Sequence, residues 1–252
     1  MASMRRMGSG IVRRDRSSRV NAGHKKVGTM SALEKRLQLI AAWCAPFARV
    51  ADIGAGSGRL SRALAEQGHA VIATEVRPEG LAHLMAGLKE STTLPRITAM
   101  MGNGLDPIRD RAVDVVVVAG MGPATIFRIL EQYADLPLSP PVIIQPAQGL
   151  WHVHRLLASS FWEITRAGLV ADGGRLYGTW QLRRGNVRRE ADARRLVVPC
   201  EFRSEAWYCR LLSERLAWLQ SLSRHRGYPP GLDAQVNWVA MAWRDAGCSD
   251  ST

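Results

Sequence analysis

Three glycines at alternate positions, Gly54, Gly56 and Gly58, stand at the end of an apolar run in the stretch "VADIGAGSGRL". Glycine permits positive φ angles and has no β-carbon to keep the backbone away from a ligand, and the start of a following helix offers free N–H groups. Asp52 precedes the first glycine by two residues. The pattern predicts a loop that binds a nucleotide-like cofactor.

The spacing and the acidic residue indicate which cofactor this is. Dinucleotide-binding loops read G-x-G-x-x-G and receive a pyrophosphate at the helix N-terminus, whereas here the third glycine comes one residue earlier. A carboxylate at Asp52 would repel a pyrophosphate but can bond a cationic amino-acid group, so we predict S-adenosylmethionine. Glu75 ends the next apolar run and can accept hydrogen bonds from both ribose hydroxyls, a feature that NAD enzymes share.

A second polar residue follows the third apolar run, in "MMGNGL". The side-chain amide of Asn103 can read an adenine edge, and the alternative is a turn asparagine beside glycines. The predicted cofactor-binding residues are Asp52, Gly54, Gly56, Gly58, Glu75, Asn103 and Gly104.

Two later segments, "AGMGP" (119–123) and "QPAQG" (145–149), follow the next two apolar runs. In open α/β sheets ligands bind outside the carboxyl ends of the strands. The small residues of the first segment leave room for a flat substrate, the amides of Gln145 and Gln148 can pair with a base edge, and Pro146 can pack against a ring. Tight strand-to-helix turns are the alternative interpretation. The predicted catalytic residues are Gly120, Met121, Gly122, Gln145 and Pro146.

The residue types at these strand ends narrow the chemistry. The (D/N)PP(Y/F) motif of exocyclic-amine methyltransferases is absent, and no cysteine nucleophile stands at a strand end. A ring nitrogen already has a free lone pair, so its methylation needs alignment more than a strong base. His152 and His154 do not predict a metal site, because residues i and i+2 of a helix point apart and no third ligand is near.

The elements that position these residues alternate along the chain. Short apolar runs, namely "RVADIG", "AVIATEV", "RITAMMG", "VDVVVVAG" and "PVIIQP", are separated by helical patterns near 59–67, 79–89 and 124–133, and another helical pattern follows at 151–160. This alternation predicts βαβ units and a doubly wound parallel sheet. Ahead of the first strand, Ser31 and Glu34 predict a capping box that starts a helix.

The remainder of the chain predicts a hairpin and a helical end. Two β-rich runs flank "ADGG" and indicate a hairpin at the sheet edge. The stretch 205–223 carries an apolar stripe of Tyr208, Leu212, Leu216 and Leu219, with Glu214 and Arg215 expected to face water, and we expect it to pair with the helix in "DAQVNWVAMAW".

Composition limits the class of protein and of partner. The 252 residues carry a formal charge of +12, and basic clusters at 1–30 and 183–195 favour a polyanion such as nucleic acid, although a generally arginine-rich composition would also explain the charge. We expect neither an export signal nor a membrane span. The four cysteines, which form no CxxC pair, suit thiols in a reducing compartment better than a disulfide.

The whole arrangement resembles the class I S-adenosylmethionine-dependent methyltransferases and, more narrowly, the bacterial tRNA (adenine-22-N1)-methyltransferase family. The matching segments include "LEKRLQLIA", "VADIG", "VIATEV", "MGNGL", "DVVVVAGMG", "IIQP" and "GLVADGGRLYGTWQ", over about residues 33–182. Where the family has Asp-His, Asp and a second Gly, this chain has Gly56-Ser57, Asn103 and Pro123.

The resemblance implies an α/β fold with a doubly wound, Rossmann-like seven-stranded sheet and a C-terminal helical appendage. Together with the composition of the N-terminus, it leads us to expect a basic, disordered arm (1–30), an S-adenosylmethionine-binding methyltransferase domain (31–185) and the appendage (186–252). The implied activity is methyl transfer to N1 of an adenine in tRNA, in the cytoplasm, without a metal, and the oligomeric state stays open. Two alternatives remain: a methyltransferase of another substrate, and a non-catalytic RNA-binding protein with this fold.

Overall fold

The structure is a computed structural model and describes residues 33–89, 94–135, 139–158, 160–185, 193–223 and 230–249. Within them the chain forms one seven-stranded sheet with helices on both faces. The strands are β1 (Arg49–Ile53), β2 (Ala70–Glu75), β3 (Ile97–Met101), β4 (Val115–Met121), β5 (Val142–Pro146), β6 (Trp162–Asp172) and β7 (Arg175–Arg184). The helices are α1 (Lys35–Cys44), α2 (Arg59–Glu66), α3 (Pro78–Leu88), α4 (Pro123–Glu131), α5 (Leu150–Ala158), α6 (Tyr208–Ser223) and α7 (Leu232–Asp245).

The strand order is β3-β2-β1-β4-β5-β7-β6, in which the first five strands are parallel and β7 runs antiparallel to its neighbours. The predicted doubly wound sheet and its edge hairpin are confirmed. Gly173 and Gly174 form the hairpin turn with φ angles of 53° and 79°, which suits the mirror-image turns that match the twist of paired strands. The turn lies at the same end of the sheet as the carboxyl end of β5, because β5 and β7 are antiparallel.

The apolar run in β4 shows why this strand occupies the centre of the sheet. Val115 and Val117 belong to a core layer that α1, α2 and α3 cover, whereas Val116 and Val118 belong to the layer under α4 and α5. Successive side chains of a strand point to opposite faces, so a strand covered on both sides must be apolar at every position.

The start of α1 differs from the predicted capping box. Glu34 is the N-cap residue rather than the third helical residue, and its side chain makes no cap hydrogen bond. Its carboxylate instead accepts a hydrogen bond from Arg59 at the start of α2, over 2.5 Å. Ser31 lies outside the described residues. A charge pair between two helices therefore replaces the local cap.

The two C-terminal helices pack on the body of the protein. Tyr208, Leu212 and Leu219 are buried in the same apolar cluster as β5 and β7, and Leu216 packs against it, which confirms the predicted stripe. Glu214 is exposed, as expected. The prediction that Arg215 faces water is wrong: its guanidinium lies between the rings of Trp151 and Trp218.

The cysteine prediction is also wrong for two of the four residues. Cys209 and Cys248 form a disulfide across 39 residues, while Cys44 and Cys200 are free. Cys209 lies in the first turn of α6 and Cys248 follows the end of α7. Because the two helices pack against each other, the beginning of one meets the end of the other. A bond that closes the helical hairpin cannot be inferred from cysteine spacing alone.

The predicted basic regions fall largely on residues that are not described. The arm at 1–30 lies outside the described residues, and so do residues 186–192 of the second basic cluster. Among the described helices, none combines the length and the apolar character that crossing a membrane requires.

Candidate active site

The candidate site lies where the connections of the sheet change direction. From β1 the chain proceeds outward through β2 and β3, and then returns to place β4 on the other side of β1. In open α/β sheets such a switch point leaves a crevice at the carboxyl ends of the two central strands. The glycine loop follows β1, and the segment 120–122 ends β4, so the predicted cofactor and substrate segments meet at this crevice.

The glycine loop has the backbone conformation that only glycine adopts readily. Gly54, Gly56 and Gly58 have φ angles of 70°, 61° and 73°. A β-carbon on Gly58 would lie 2.9 Å from side-chain atoms of Leu84 and Leu88, so this glycine also permits α3 to pack against the start of α2. The loop therefore presents backbone rather than side chains to the crevice.

Glu75 lies at the end of β2 and faces this loop. Its Oε1 accepts a hydrogen bond from the backbone N–H of Gly56 over 2.5 Å. A β-carbon on Gly80 would lie 2.7 Å from Oε2, so the first turn of α3 approaches the carboxylate closely because residue 80 is glycine. The carboxylate is held in place beside the loop, at the position where the sequence predicts a contact with ribose hydroxyls.

Asp52 lies beneath the loop and is only 3% exposed. Its Oδ2 accepts a hydrogen bond from the Ser61 hydroxyl over 2.6 Å. Burial raises the pKa of Asp52 to about 6, with a smaller contribution from the nearby charge of Glu75, while the Ser61 hydrogen bond opposes the rise. Ser61, which the sequence analysis missed, is thus the partner of Asp52, and the contact of Asp52 with a ligand ammonium group stays a prediction.

Asn103 and Gly104 have different surroundings. The Asn103 side chain is exposed after β3, where it is free to contact a ligand. Gly104 is buried, and a β-carbon there would overlap the side-chain amide of Gln132. The same Gln132 oxygen accepts a hydrogen bond from the backbone N–H of Leu105 over 2.9 Å. The structure therefore gives Gly104 a packing role, and its predicted contact with cofactor is untested.

The end of β4 is irregular in a way that opens space. The pairing with β5 shifts register between Ala119 and Met121, and Gly120 has a φ of 75°. Among the described residues, no heavy atom beyond the glycine and its two chain neighbours lies within 4 Å of the place where a β-carbon of Gly120 or Gly122 would stand. The methyl end of Met121 instead lies over Gly54, where a β-carbon would overlap it. Met121 therefore connects the predicted substrate segment to the cofactor loop.

Gln145 at the end of β5 is fully buried. Its Oε1 accepts a hydrogen bond from Arg36 Nη1 over 2.8 Å, and its amide nitrogen donates to the carbonyl oxygen of Pro146. The amide is thus engaged inside the protein rather than presented to a base, which differs from the expected role. Arg36 is a residue that the sequence analysis missed, and only its place in "LEKRLQLIA" hinted at it.

Pro146 and Gln148 border a cavity of about 430 Å³ beside the carboxyl end of β5. Its walls come from the turn and helix start at 146–151, the first residues of β7 and the α6 residues Leu211 and Glu214. The guanidinium of Arg36 lies 5.7 Å from the ring of Tyr177, one of the β7 residues in the wall. The cavity therefore adjoins the predicted substrate segment.

The two histidines of α5 have different surroundings. His154 is buried, with Nδ1 2.7 Å from Glu201 Oε1 and Nε2 2.9 Å from the carbonyl oxygen of Arg195, whereas His152 is exposed. The described part of the chain contains no group of three or more side chains suited to binding a metal ion.

Comparison with known proteins places this arrangement among relatives. The profile of a family described as "Methyltransferase domain" matches residues 33–179. The tRNA (adenine(22)-N(1))-methyltransferase of Bacillus subtilis is 28% identical over 148 residues, which are 58% of this chain and 62% of that protein. The chain therefore spans less than two thirds of the length of this curated relative.

Two solved structures share the fold at low identity. The crystal structure of the B. subtilis m1A22 tRNA methyltransferase TrmK has a TM-score of 0.64 at 23% identity and covers 85% of this chain and 97% of its own. The structure of M. capricolum TrmK in complex with S-adenosyl-homocysteine has a TM-score of 0.68 at 16% identity and covers 85% of this chain and 98% of its own. Both structures cover a larger share of this chain than the family profile does.

Proposed function

The chain belongs to the methyltransferase domain family, and from that premise we propose that it transfers the methyl group of S-adenosylmethionine to N1 of an adenine in tRNA. The observation that carries the proposal is the hydrogen bond between Glu75 and Gly56 at the switch point. This contact fixes a carboxylate next to a backbone loop, and the open end of β4 lies across the same crevice. The B. subtilis relative supports the choice of tRNA and of N1.

The residues present suit this cofactor. Glu75 would hold the ribose hydroxyls, since its Oε2 carries no hydrogen bond among the described residues. Asp52 would attract the ammonium group of the amino-acid part, and the exposed Asn103 would read the adenine edge. When bound, S-adenosylmethionine supplies an electrophilic methyl group on a sulfonium ion.

The substrate segment can act by alignment. N1 of adenine carries a lone pair and no proton, so no side chain has to remove a proton before the methyl group is attacked. Gly120 and Gly122 leave room for a flat ring, and Met121 would contact it from the side of the cofactor loop. Arg36 holds Gln145, and Gln145 in turn bonds the carbonyl oxygen of Pro146, so these residues shape the wall of the site without entering the chemistry.

The partner and the location follow from the same proposal. The formal charge of +12 favours association with a polyanion such as tRNA. We place the activity in the cytoplasm, where tRNA is modified, and propose that the protein needs no metal for it.

The experiment is a methyl-transfer assay with tritiated S-adenosylmethionine and separate pools of tRNA, ribosomal RNA and protein. We expect label in the tRNA pool and its loss in Glu75→Ala. Glu79→Ala is the matched control, because Glu79 is exposed in the first turn of α3 and the same charge is removed nearby. Label in the ribosomal RNA or protein pool would favour a methyltransferase of another substrate. Absence of both methyl transfer and cofactor binding would contradict the proposal that the protein is an enzyme.

A further inference from the structure

Arg215 of α6 has an unusual environment for a cation. Its guanidinium carbon lies 4.8 Å from the ring centroid of Trp151 on α5 and 4.3 Å from that of Trp218 on α6. A guanidinium stacks favourably on the face of tryptophan within about 6 Å. The guanidinium therefore contacts aromatic rings from both helices.

This cation has no anionic partner within the described ranges. Its Nε is buried without a hydrogen bond, and it forms no ion pair with any residue that the structure describes. The neighbouring Glu214 is paired with Arg210 instead. Burial, and secondarily the like charge of Arg155, lowers the pKa of Arg215 to about 10, so the group is still charged at neutral pH. A partly buried charge without a partner is costly, and an incoming anion would relieve that cost.

The stack adjoins the candidate substrate site. Trp151 lies in the wall of the 430 Å³ cavity together with Pro146 and Gln148. On the other side of Arg215, Trp218 is 49% exposed and presents an aromatic surface to solvent. A stacked cation, an exposed ring and a cavity with the volume of a small-ligand site thus lie side by side.

The geometry points to an RNA subsite in which Arg215 binds a backbone phosphate and Trp218 stacks on an unpaired base next to the target nucleotide. This inference rests on the proposed function and adds the residues that hold the substrate. Proteins that bind single-stranded RNA combine such a cation with an exposed aromatic side chain. An acidic peptide would use the charge but would gain little from the ring.

The test measures binding of unmodified tRNA by filter retention between 50 and 200 mM salt. We expect Trp218→Ala to weaken binding by about 5- to 160-fold, the range for loss of one base stack. Arg215→Gln should weaken binding and reduce the slope of log affinity against log salt by about 0.7–0.9, the value for one phosphate. Trp218→Phe keeps an aromatic face and should restore most of the affinity.

Arg49→Gln is the matched control, since Arg49 is paired with Asp114 at the amino end of β1, opposite to the strand ends that carry the site. It should bind tRNA like the wild type. Trp218→Ala should also keep the cofactor affinity and the unfolding temperature of the wild type. These two measurements show that weaker tRNA binding reflects the lost RNA contact and not a disrupted fold.

The outcomes distinguish this inference from the proposed function. If Trp218→Ala and Arg215→Gln bind and methylate tRNA like the wild type, the subsite is wrong and the methyltransferase stands. If the wild type binds tRNA but does not methylate it, the proposed function is wrong. Weaker tRNA binding by both variants would then still support the subsite. If Trp218→Ala binds tRNA normally while Arg215→Gln loses affinity for polyglutamate, the surface takes an acidic peptide and the inference is overturned.

Discussion

The backbone N–H of Gly56 and the Oε1 atom of Glu75 are joined by a 2.5 Å hydrogen bond that links the glycine loop to the end of β2. The two residues are 19 positions apart in the sequence, and Gly56 follows β1 while Glu75 ends β2, its parallel neighbour. The bond therefore orders the site before any ligand binds, which reduces the cost of fixing the loop and the carboxylate on binding.

Glu75→Ala should weaken binding of S-adenosylmethionine by about 10- to 160-fold, because a hydrogen bond to a charged group contributes about 1.5–3 kcal/mol. The variant loses both the ribose contact and the acceptor for Gly56. Isothermal titration calorimetry measures the affinity. Binding as tight as that of the wild type would show that Glu75 does not face the cofactor.

Binding of the cofactor should strengthen as the pH rises from 5 to 7. The pKa of Asp52 is raised to about 6, so the carboxyl group is largely neutral at pH 5 and largely charged at pH 7. Only the charged form attracts an ammonium group, and the expected gain is about tenfold over this range for one linked proton. The dependence should disappear in Asp52→Asn, and its persistence there would assign it to another group.

The same raised pKa predicts an effect on folding. A carboxyl group whose pKa is higher in the folded protein favours folding in its protonated form, so its contribution falls as the pH rises from about 4 to 6. Asp52→Asn should therefore unfold at higher denaturant concentration than the wild type at pH 7, with a smaller difference at pH 4. Urea titrations at both values measure this, and a variant less stable at pH 7 would contradict the prediction.

Arg36→Met should destabilise the protein by about 1–3 kcal/mol, because the buried side-chain oxygen Oε1 of Gln145 loses the hydrogen bond that Arg36 donates. Gln145→Leu in the same background should recover part of this loss. A double-mutant cycle in urea gives the coupling free energy of the pair, which we expect in the range of about 0.5–3 kcal/mol for residues in contact. A coupling of zero would show that the two side chains do not interact.

Cys209→Ser should lower the stability of the oxidised protein by about 2–4 kcal/mol, since the disulfide limits the unfolded chain. Cys200→Ser is the control, as Cys200 is exposed and unpaired. The reducing agent dithiothreitol should shift the unfolding temperature of the wild type and leave that of Cys209→Ser unchanged. Equal shifts in both proteins would exclude the bond.

The sheet and the cofactor loop could be predicted because their signals are local. The unbroken apolar run of β4 predicts a strand that is buried on both faces. The alternate glycines at 54, 56 and 58 predict a loop with positive φ angles, and both signals lie within a few neighbouring residues. The pairing of Arg36 with Gln145 joins residues 109 positions apart, and nothing in either sequence neighbourhood encodes it. Gln145 was accordingly assigned to a base edge, whereas its amide is bonded inside the protein.

The C-terminal errors have a similar origin. The helical period predicted the apolar stripe of α6, but it also placed Arg215 on the opposite side, facing water. The stacking of Arg215 on both Trp151 and Trp218 depends on how α5 and α6 are arranged. The period of a single helix carries no information about that arrangement. The Cys209–Cys248 bond likewise depends on the arrangement of α6 and α7.

The most direct test of the central claim is mass spectrometry of nucleosides from tRNA that was incubated with the protein and deuterated S-adenosylmethionine. The account predicts labelled 1-methyladenosine, absent from reactions with Glu75→Ala and present with Glu79→Ala. Labelled tRNA that yields a different methylated nucleoside would contradict the assignment to adenine N1. Unlabelled tRNA, despite measurable cofactor binding, would contradict tRNA as the substrate.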